Sequence, residues 1–303
     1  MTWTDQVKKT ALGIRRRAFE HTVKHQGGYL SQACSLAEIL STLYIKSLQI
    51  DVSSSPFNPR PFPGHPSAQR ERNRLGSEYH GVSAPHLDRL FFSSGTYALA
   101  VYSTLVEIGR LDGKSLDVYR QDGSSLETWG GPHAPGFESY CGSGGSVLAL
   151  ASGCALARKL KGENGRVWVI CDVDELQSGT GWEILQILKH KPLNNLVLVI
   201  NHHYYDESPH WAQSWYQACA PWTVHEIDGH DPDELHRVSQ IYAQQGPLLI
   251  RANTHPCQGI VYMSLAHLPL NYVRFKTSRD RMNFETAVRA ELYKPKNKRG
   301  STR

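Results

Sequence analysis

Apolar side chains recur at helical intervals near the start of the chain. Between residues 4 and 25 they include Val7, Leu12, Ile14, Phe19 and Val23. This spacing predicts an amphipathic helix, which a Gln-Gly-Gly sequence at 26–28 ends. A second helix is predicted to open at Ser35, because a serine followed three residues later by Glu38 is typical of a capping box.

Short apolar runs rich in β-branched residues alternate with helical segments in the rest of the chain. Strands are predicted at 90–92, 166–171, 196–200 and 247–251, and helices at 97–108 and 146–160. Alternation of this kind favours an α/β fold with a mostly parallel sheet and helices on both faces. Ligands of such sheets bind beyond the carboxyl ends of the strands, so residues 172–179 and 201–206 are expected to line any site.

The chain is expected to form one main domain with a basic extension. We assign residues 1–264 to the α/β domain and predict a long surface loop at 51–87, which is rich in Pro, Ser, Gly and Arg. Residues 265–303 contain ten Lys and Arg against three acidic residues. This asymmetry is typical of a solvated helix with a disordered end at 294–303, and the alternative is a surface for an anionic partner.

Composition narrows the classes of function. Of the 303 residues, 40% are hydrophobic and 20% are charged, and no apolar run approaches the roughly 20 residues of a membrane-spanning helix. The N-terminus shows no secretory pattern, so we expect a cytoplasmic protein without membrane segments. Six scattered cysteines form no Cys-x-x-Cys pair, and we expect neither disulfides nor zinc. The basic end lacks interleaved aromatic residues, which disfavours nucleic-acid binding.

Several short motifs occur in a fixed order along the chain. They are His25-Gln-Gly-Gly-Tyr-Leu-Ser31, Asp88-Arg-Leu-Phe-Phe-Ser-Ser-Gly95, Gly142-Ser-Gly-Gly-Ser-Val147, Glu175-Leu-Gln-Ser-Gly179, Trp182-Glu183 and Ile227-Asp-Gly-His-Asp231. Each is weak alone, but their shared order resembles the N-terminal, diphosphate-binding subunit of split transketolases, which are thiamine-diphosphate-dependent enzymes. The resemblance covers nearly the whole chain.

The resemblance implies a subunit that holds the diphosphate of thiamine diphosphate through Mg²⁺ or Ca²⁺. It implies transfer of a two-carbon ketol or acyl unit, with a sugar phosphate or a carrier-bound acyl group as substrate. In this family the pyrimidine end of the cofactor and its activating glutamate lie on a separate domain. A C-terminal transketolase-like partner subunit is therefore implied, in an α2β2 heterotetramer.

The same resemblance assigns roles to individual residues. His25 stands at a family histidine near the diphosphate and the substrate, and Glu183 at a carboxylate that couples the two active sites. Cofactor contacts are expected from the remaining motif positions, namely Gly95, Thr96, Gly142, Gly145, Asp172, Asp174 and Glu175. Some family residues are replaced: Thr96 stands for a second histidine, Ser178 for a glutamate, and Val147 for the last glycine of the diphosphate loop.

The metal ligands depart furthest from the family. Alignment without gaps places Asp172-Val173-Asp174 on the family's Gly-Asp-Gly, so that the metal-binding aspartate becomes Val173. The family's asparagine ligand falls on His203, and its carbonyl ligand falls on Tyr205. Valine cannot coordinate an ion, and imidazole is a poor ligand for Mg²⁺ that prefers zinc or other transition ions.

Two alternatives stay open for these residues. A shift of one residue would bring Asp172 or Asp174 to the metal, and Asn201 or His203 would then lie opposite. The structural interpretation is that the aspartates cap the end of a strand and that His202 and His203 serve packing.

The replacements also support a second hypothesis for the whole chain. A degenerate homologue that has lost the cofactor would persist as a structural or regulatory partner of the C-terminal subunit. The retained glycines and carboxylates favour the enzyme, whereas Val173, His203 and Thr96 favour the non-catalytic alternative.

Overall fold

Helices and strands alternate along the chain. The computed structural model describes residues 1–53, 56–59, 61–62, 75–142, 144–203 and 210–293. In chain order the elements are α1 (Trp3–Lys24), β1 (Gly27–Gly28), α2 (Leu30–Thr42), β2 (Arg89–Phe92), α3 (Ala98–Glu107), α4 (Ser146–Leu160), β3 (Val167–Asp172), α5 (Gly179–His190), β4 (Leu196–His203), α6 (His210–Ala218), β5 (Val224–Asp228), α7 (Pro232–Ser239), β6 (Leu248–Thr254), α8 (Val261–Leu265), β7 (Val273–Arg274) and α9 (Ser278–Leu292).

A five-stranded parallel sheet forms the centre of the fold, in the order β2-β3-β4-β6-β5. Every residue of β3 is buried, as is all of β4 except its last residue, which is typical of strands covered on both faces. Helices cover the two faces of the sheet, so the predicted α/β fold class is confirmed. β1 and β7 form a separate antiparallel pair.

The predicted strands are confirmed as β2, β3, β4 and β6, with ends that differ by a few residues. The sequence pattern does not predict β5. This strand lies at the edge of the sheet, and only Ile227 of its five residues is fully buried. A half-exposed edge strand lacks the continuous apolar run by which a buried strand is recognised.

The start of α2 contradicts the prediction that a helix opens at Ser35. α2 begins at Leu30, and Ser35 lies inside it, where its hydroxyl donates to the Gln32 carbonyl at 3.2 Å. The Glu38 carboxylate instead accepts from the buried Arg15 guanidinium at 2.7 Å. A buried guanidinium is strongly destabilising without a carboxylate partner. Glu38, which the local pattern assigned to helix capping, therefore forms a long-range ion pair with Arg15.

The C-terminal helix is part of the packed structure. α9 contacts α1 and buries Phe284, Val288 and Leu292, while Thr277 and Asp280 form a capping box at its start. The predicted disordered end at 294–303 and part of the predicted loop at 51–87 lie outside the described residues. The division at residue 264 stays a prediction.

The helices pack in two groups. α1, α2 and α3 contact one another, while α4 and α5 contact each other and α4 lies against β3. Within the described ranges, none of the helices has the length and apolar composition that crossing a bilayer demands.

Candidate functional site

A cavity lined mainly by polar residues opens beyond the carboxyl ends of strands β3 and β4. Its volume is about 380 Å³, and it is lined by residues that are distant in sequence, among them Thr96, Asp172, Asp174, Glu175 and His203. The parallel register explains the convergence, because Asp172 pairs with Asn201 and places both strand ends side by side. The cavity therefore lies where a parallel sheet is expected to bind ligands.

Two larger cavities, of about 660 and 520 Å³, lie elsewhere on the molecule. In the larger one, Arg89 is paired with Glu138 and Arg110 donates to the Tyr79 carbonyl, so these charges are already engaged. We identify the candidate site by its unbalanced charge and not by its size. Among the described residues that line the 380 Å³ cavity are three carboxylates and one imidazole, and no Lys or Arg.

Asp172 is the most constrained side chain of the site. One carboxylate oxygen accepts from the Tyr97 hydroxyl at 2.8 Å and lies 3.3 Å from Nε2 of His203. The other oxygen accepts the backbone N–H of Asp174 at 3.1 Å and so caps the turn at Val173–Gln177. The structural interpretation and the ligand interpretation are thus compatible, because a capping carboxylate also faces the cavity.

The electrostatics of the site couple Asp172 to His203. Burial raises the pKa of Asp172, but the hydrogen bond and charge of His203 outweigh it and hold the pKa below its usual value. Burial by itself lowers the pKa of His203, but the hydrogen bond and charge of the Asp172 carboxylate outweigh the effect of burial, so the pKa of His203 is raised above its usual value. Burial and the Asp172 charge both raise the pKa of Asp174. The group as a whole carries excess negative charge.

Three potential metal ligands come together at this point. The ligand atoms of Asp172, Asp174 and His203 all lie within 4.8 Å of one another. In the described part of the chain, this is the cluster of His, Cys, Asp or Glu side chains that is close enough to hold a metal ion. Val173 is only 3% exposed and packs in the core. This geometry is compatible with the alignment shifted by one residue, and the metal ligands stay a prediction.

Asn201 lies one layer behind the cavity. It is fully buried, its amide donates to Tyr97 Oη at 3.1 Å, and its carbonyl oxygen accepts from the Thr254 hydroxyl at 2.7 Å. These bonds hold Tyr97, which in turn orients Asp172. Asn201 is therefore placed to support the site from behind, and its role as a ligand stays a prediction. Tyr205 lies outside the described residues.

The glycines and Glu175 shape the loop beside the cavity. The backbone N–H of Gly145 donates to a Glu175 oxygen at 2.7 Å, which anchors the start of α4. Gly145 has φ of +74°, and an added Cβ would overlap the Ser178 hydroxyl. Gly142 lies against the Tyr140 ring. Val147, which replaces a family glycine, is fully buried in α4 and does not obstruct the loop.

Thr96 and Trp129 also line the cavity, and Gly95 packs against the Trp129 ring. An added Cβ at Gly95 would overlap the Trp129 ring, so only glycine permits this packing. The Thr96 hydroxyl is 2.7 Å from the Ser94 hydroxyl. Tyr97 and Trp129 are among the residues at the site that the sequence pattern does not single out. Tyr97 adjoins a motif position, whereas Trp129 lies in a Gly/Pro-rich stretch without periodicity and gives no signal.

The two predicted catalytic residues do not line this cavity. His25 caps the end of α1, and its ring stacks on His21 with centroids 4.2 Å apart. Burial lowers the pKa of His25, and its Nε2 has no hydrogen-bond partner among the described residues. Glu183 lies on the exposed side of α5. Both assignments stay predictions.

The fold and the cavity define an α/β protein with a candidate ligand site at the carboxyl end of a parallel sheet. The homologues of the chain are transketolase family proteins, although no protein-family model matches it. It is 26% identical over 261 residues to the transketolase family protein y4mO of Sinorhizobium fredii, covering 82% of this chain and 84% of that protein. It is 26% identical over 197 residues to one subunit of the apulose-4-phosphate transketolase of Actinobacillus succinogenes, covering 64% and 62%.

Longer relatives match over part of their length. The chain is 26% identical to human transketolase-like protein 2 over 266 residues but spans only 38% of that protein. The crystal structure of transketolase from Campylobacter jejuni superposes with a TM-score of 0.67 at 20% identity, covering 95% of this chain and 46% of that one. The chain has the α/β fold of a transketolase N-terminal part, and the expected resemblance to transketolase family proteins is confirmed.

Proposed function

We propose that this chain is the diphosphate-binding subunit of a two-component, transketolase-like enzyme that transfers a two-carbon ketol or acyl unit with thiamine diphosphate. The observation that carries the proposal is the cavity at the ends of β3 and β4. Residues to which the family resemblance assigns cofactor or metal contacts, such as Thr96 and His203, converge there although more than a hundred positions separate them. A ligand site requires such residues to come together in one cavity, whereas the packing of the core does not require it.

The residues present suit a diphosphate only if a cation is also bound. Asp172, Asp174 and Glu175 would repel a diphosphate in a partly dry cavity, because like charges at short range destabilise each other strongly. A divalent ion held by Asp172, Asp174 and His203 would offset the charges of the two aspartates and attract the diphosphate directly, and the Thr96 hydroxyl could donate to a diphosphate oxygen. When bound, thiamine diphosphate supplies a thiazolium ring that stabilises negative charge on a substrate carbon.

We further propose a C-terminal, pyrimidine-binding partner in an α2β2 assembly. The relative from Actinobacillus succinogenes bears the name of a subunit, and this chain spans only 38% of human transketolase. The exposed position of Glu183 on α5 suits a residue that lies at a subunit interface. By analogy with that relative the substrate is a sugar phosphate, with a carrier-bound acyl group as the alternative, and the location is cytoplasmic.

Calorimetric titration tests the proposal. Thiamine diphosphate is titrated into this chain co-purified with its C-terminal partner, in separate experiments with Mg²⁺, Ca²⁺ and Zn²⁺ and with the metal omitted. Micromolar binding that requires one of the metals supports the proposal. Absence of binding in the assembled complex with every metal contradicts it.

The second candidate function is that of a non-catalytic partner for the C-terminal subunit. The buried Val173 favours it, because the position of the family's metal aspartate holds a side chain without ligand atoms. Under this alternative the chain forms a stable complex with the C-terminal subunit, and that complex binds no thiamine diphosphate. The same titration therefore separates the two functions.

A further inference from the structure

The metal ligands in the cavity differ in kind from those of a magnesium site. Mg²⁺ prefers an octahedral shell of oxygen ligands and gives up its water reluctantly. Here one of three donors is the imidazole of His203, beside the carboxylates of Asp172 and Asp174. Imidazole together with carboxylate suits first-row transition ions such as Zn²⁺ and Co²⁺ better than Mg²⁺.

The spacing of the donors is close to that of a bound ion. Ligand atoms at the zinc–nitrogen and zinc–oxygen distances of about 2.1 Å lie at most about 4.2 Å apart. The ligand atoms of Asp172, Asp174 and His203 lie within 4.8 Å of one another, so a small inward movement of the side chains brings them to that distance. The ends of β3 and β4 hold Asp172 and His203, and the capped turn after β3 holds Asp174.

The layer behind these ligands is already organised. The Tyr97 hydroxyl donates to Asp172 at 2.8 Å, and Asn201 donates to Tyr97 at 3.1 Å. Asn201 is fixed in its turn by the hydroxyl of Thr254 at 2.7 Å. Hydrogen-bonded outer layers of this kind orient ligands and strengthen metal binding.

A separate observation indicates a ligand in the same cavity. Ser31 is only 3% exposed and lines the cavity, and its hydroxyl has no hydrogen-bond partner among the described residues. Because this hydroxyl lines the cavity, a molecule bound there would supply the hydrogen-bond partner that buried hydroxyls usually have. With three protein ligands, a transition ion keeps a further coordination position open for an oxygen of such a molecule.

We propose that Asp172, Asp174 and His203 bind a first-row transition-metal dication in preference to Mg²⁺, with a coordination position left open for an oxygen of the cavity's ligand. The identity of that oxygen as part of a diphosphate rests on the proposed function. The metal site itself does not, because its three ligands come from this chain.

Direct metal titration of the full chain is the first test. The chain is stripped of metal with a chelator and titrated calorimetrically with Zn²⁺, Co²⁺ and Mg²⁺ in turn, without thiamine diphosphate, and the visible absorption of Co²⁺ is recorded. We expect Zn²⁺ and Co²⁺ to bind about 100-fold more tightly than Mg²⁺ or better. Equal affinity for Mg²⁺, or no binding of any of the three ions, overturns the proposal.

Matched variants locate the bound ion. His203→Asn and Asp174→Asn are each expected to weaken Zn²⁺ binding by about 10-fold or more. His190→Asn makes the same substitution on an exposed histidine at the far end of α5 and is expected to leave the affinity unchanged. Unchanged Zn²⁺ binding in both site variants places the ion elsewhere and overturns the proposal.

The two proposals fail independently. Tight Zn²⁺ binding to the isolated chain supports the metal site even when thiamine diphosphate binding to the assembled complex is not found. Thiamine diphosphate binding that is equally tight with Mg²⁺ and with Zn²⁺ supports the proposed function and contradicts the metal preference.

Discussion

Two carboxylate–histidine pairs lie at different places in this chain and behave differently. Glu38 and His230 approach to 2.9 Å between α2 and the segment after β5, and Asp172 and His203 approach to 3.3 Å at the ends of β3 and β4. The residue types and distances are similar. The charged groups around each pair are not.

The Glu38 pair is electrically balanced. Arg15 donates to both carboxylate oxygens, and Nε2 of His230 accepts the backbone N–H of His255 at 2.8 Å. Burial raises the pKa of Glu38, but His230 and Arg15 outweigh it and bring the pKa to about 2. The network ties α1 and α2 to the segments after β5 and β6, and we interpret it as structural.

The Asp172 pair lacks such a balance. Asp174 and Glu175 add carboxylates beside it, and the described residues that line its cavity include no Lys or Arg. A carboxylate–histidine pair therefore indicates a ligand site only when its surroundings leave charge uncompensated. Inside a cavity, that excess favours a bound cation.

Removing the guanidinium should have the largest effect on stability. Arg15→Ala leaves Glu38 buried without its main partner, and we expect the free energy of unfolding to fall by about 3–5 kcal/mol. Urea denaturation monitored by circular dichroism measures it. Arg17→Ala is the control, because Arg17 pairs with Glu107 at a partly exposed position and should cost about 1 kcal/mol or less. Equal losses in the two variants would show that the network is not a structural anchor.

The balanced pair should also determine part of the acid sensitivity. The pKa of Glu38 is about 2 in the fold against an ordinary value of 4.5. Its contribution to stability is therefore present above pH 4.5 and lost as the pH falls towards 2, and it amounts to about 3 kcal/mol. The free energy of unfolding, measured by urea denaturation between pH 6 and pH 3, should fall less steeply in Glu38→Gln than in the natural chain. Parallel pH profiles would contradict the assignment.

A change in the unbalanced pair should affect binding more than folding. Asp172→Asn keeps an acceptor for the Asp174 N–H but removes a metal ligand, so we expect divalent-metal affinity to fall by about 10- to 100-fold. The free energy of unfolding should change by about 1 kcal/mol. Calorimetry and urea denaturation measure the two effects, with the exposed Asp122→Asn as control. A large loss of stability with intact metal binding would show that the Asp172 pair is structural and is not a ligand site.

The smallest effect is expected from Asp174. In the metal-free chain, Asp174→Asn removes repulsion from Asp172 and should raise the free energy of unfolding by about 0.5 kcal/mol or less, since solvent still reaches part of the Asp174 side chain and screens the repulsion. A double-mutant cycle with Asp172→Asn measures this coupling, which should disappear when Asp172 is already neutral. An identical effect in both backgrounds would show that repulsion between the two aspartates is negligible.

The strand pattern and the motifs carried much of the site prediction. The runs at 166–171 and 196–200 indicate buried parallel strands, and the residues that follow them do line the cavity, as Asp172, Asp174 and His203 show. The edge strand β5 was not predicted, because it is only partly buried and its sequence lacks a continuous apolar run. The capping pattern at Ser35 gave a wrong helix start, because a local sequence motif contains no information about Arg15, the distant guanidinium that pairs with Glu38.

The order of the buried strands and the α/β class were determined by the sequence alone, because hydrophobic periodicity is a local property, and the position of the candidate cavity was predicted from the ends of those strands. The tertiary structure decided which polar groups meet. Asn201 and His203 lie two residues apart on one strand, yet Asn201 is enclosed in the core and His203 reaches the cavity, because β4 ends there. Likewise only the packed fold brings Glu38 to His230, since burial and pairing depend on neighbours from distant parts of the chain.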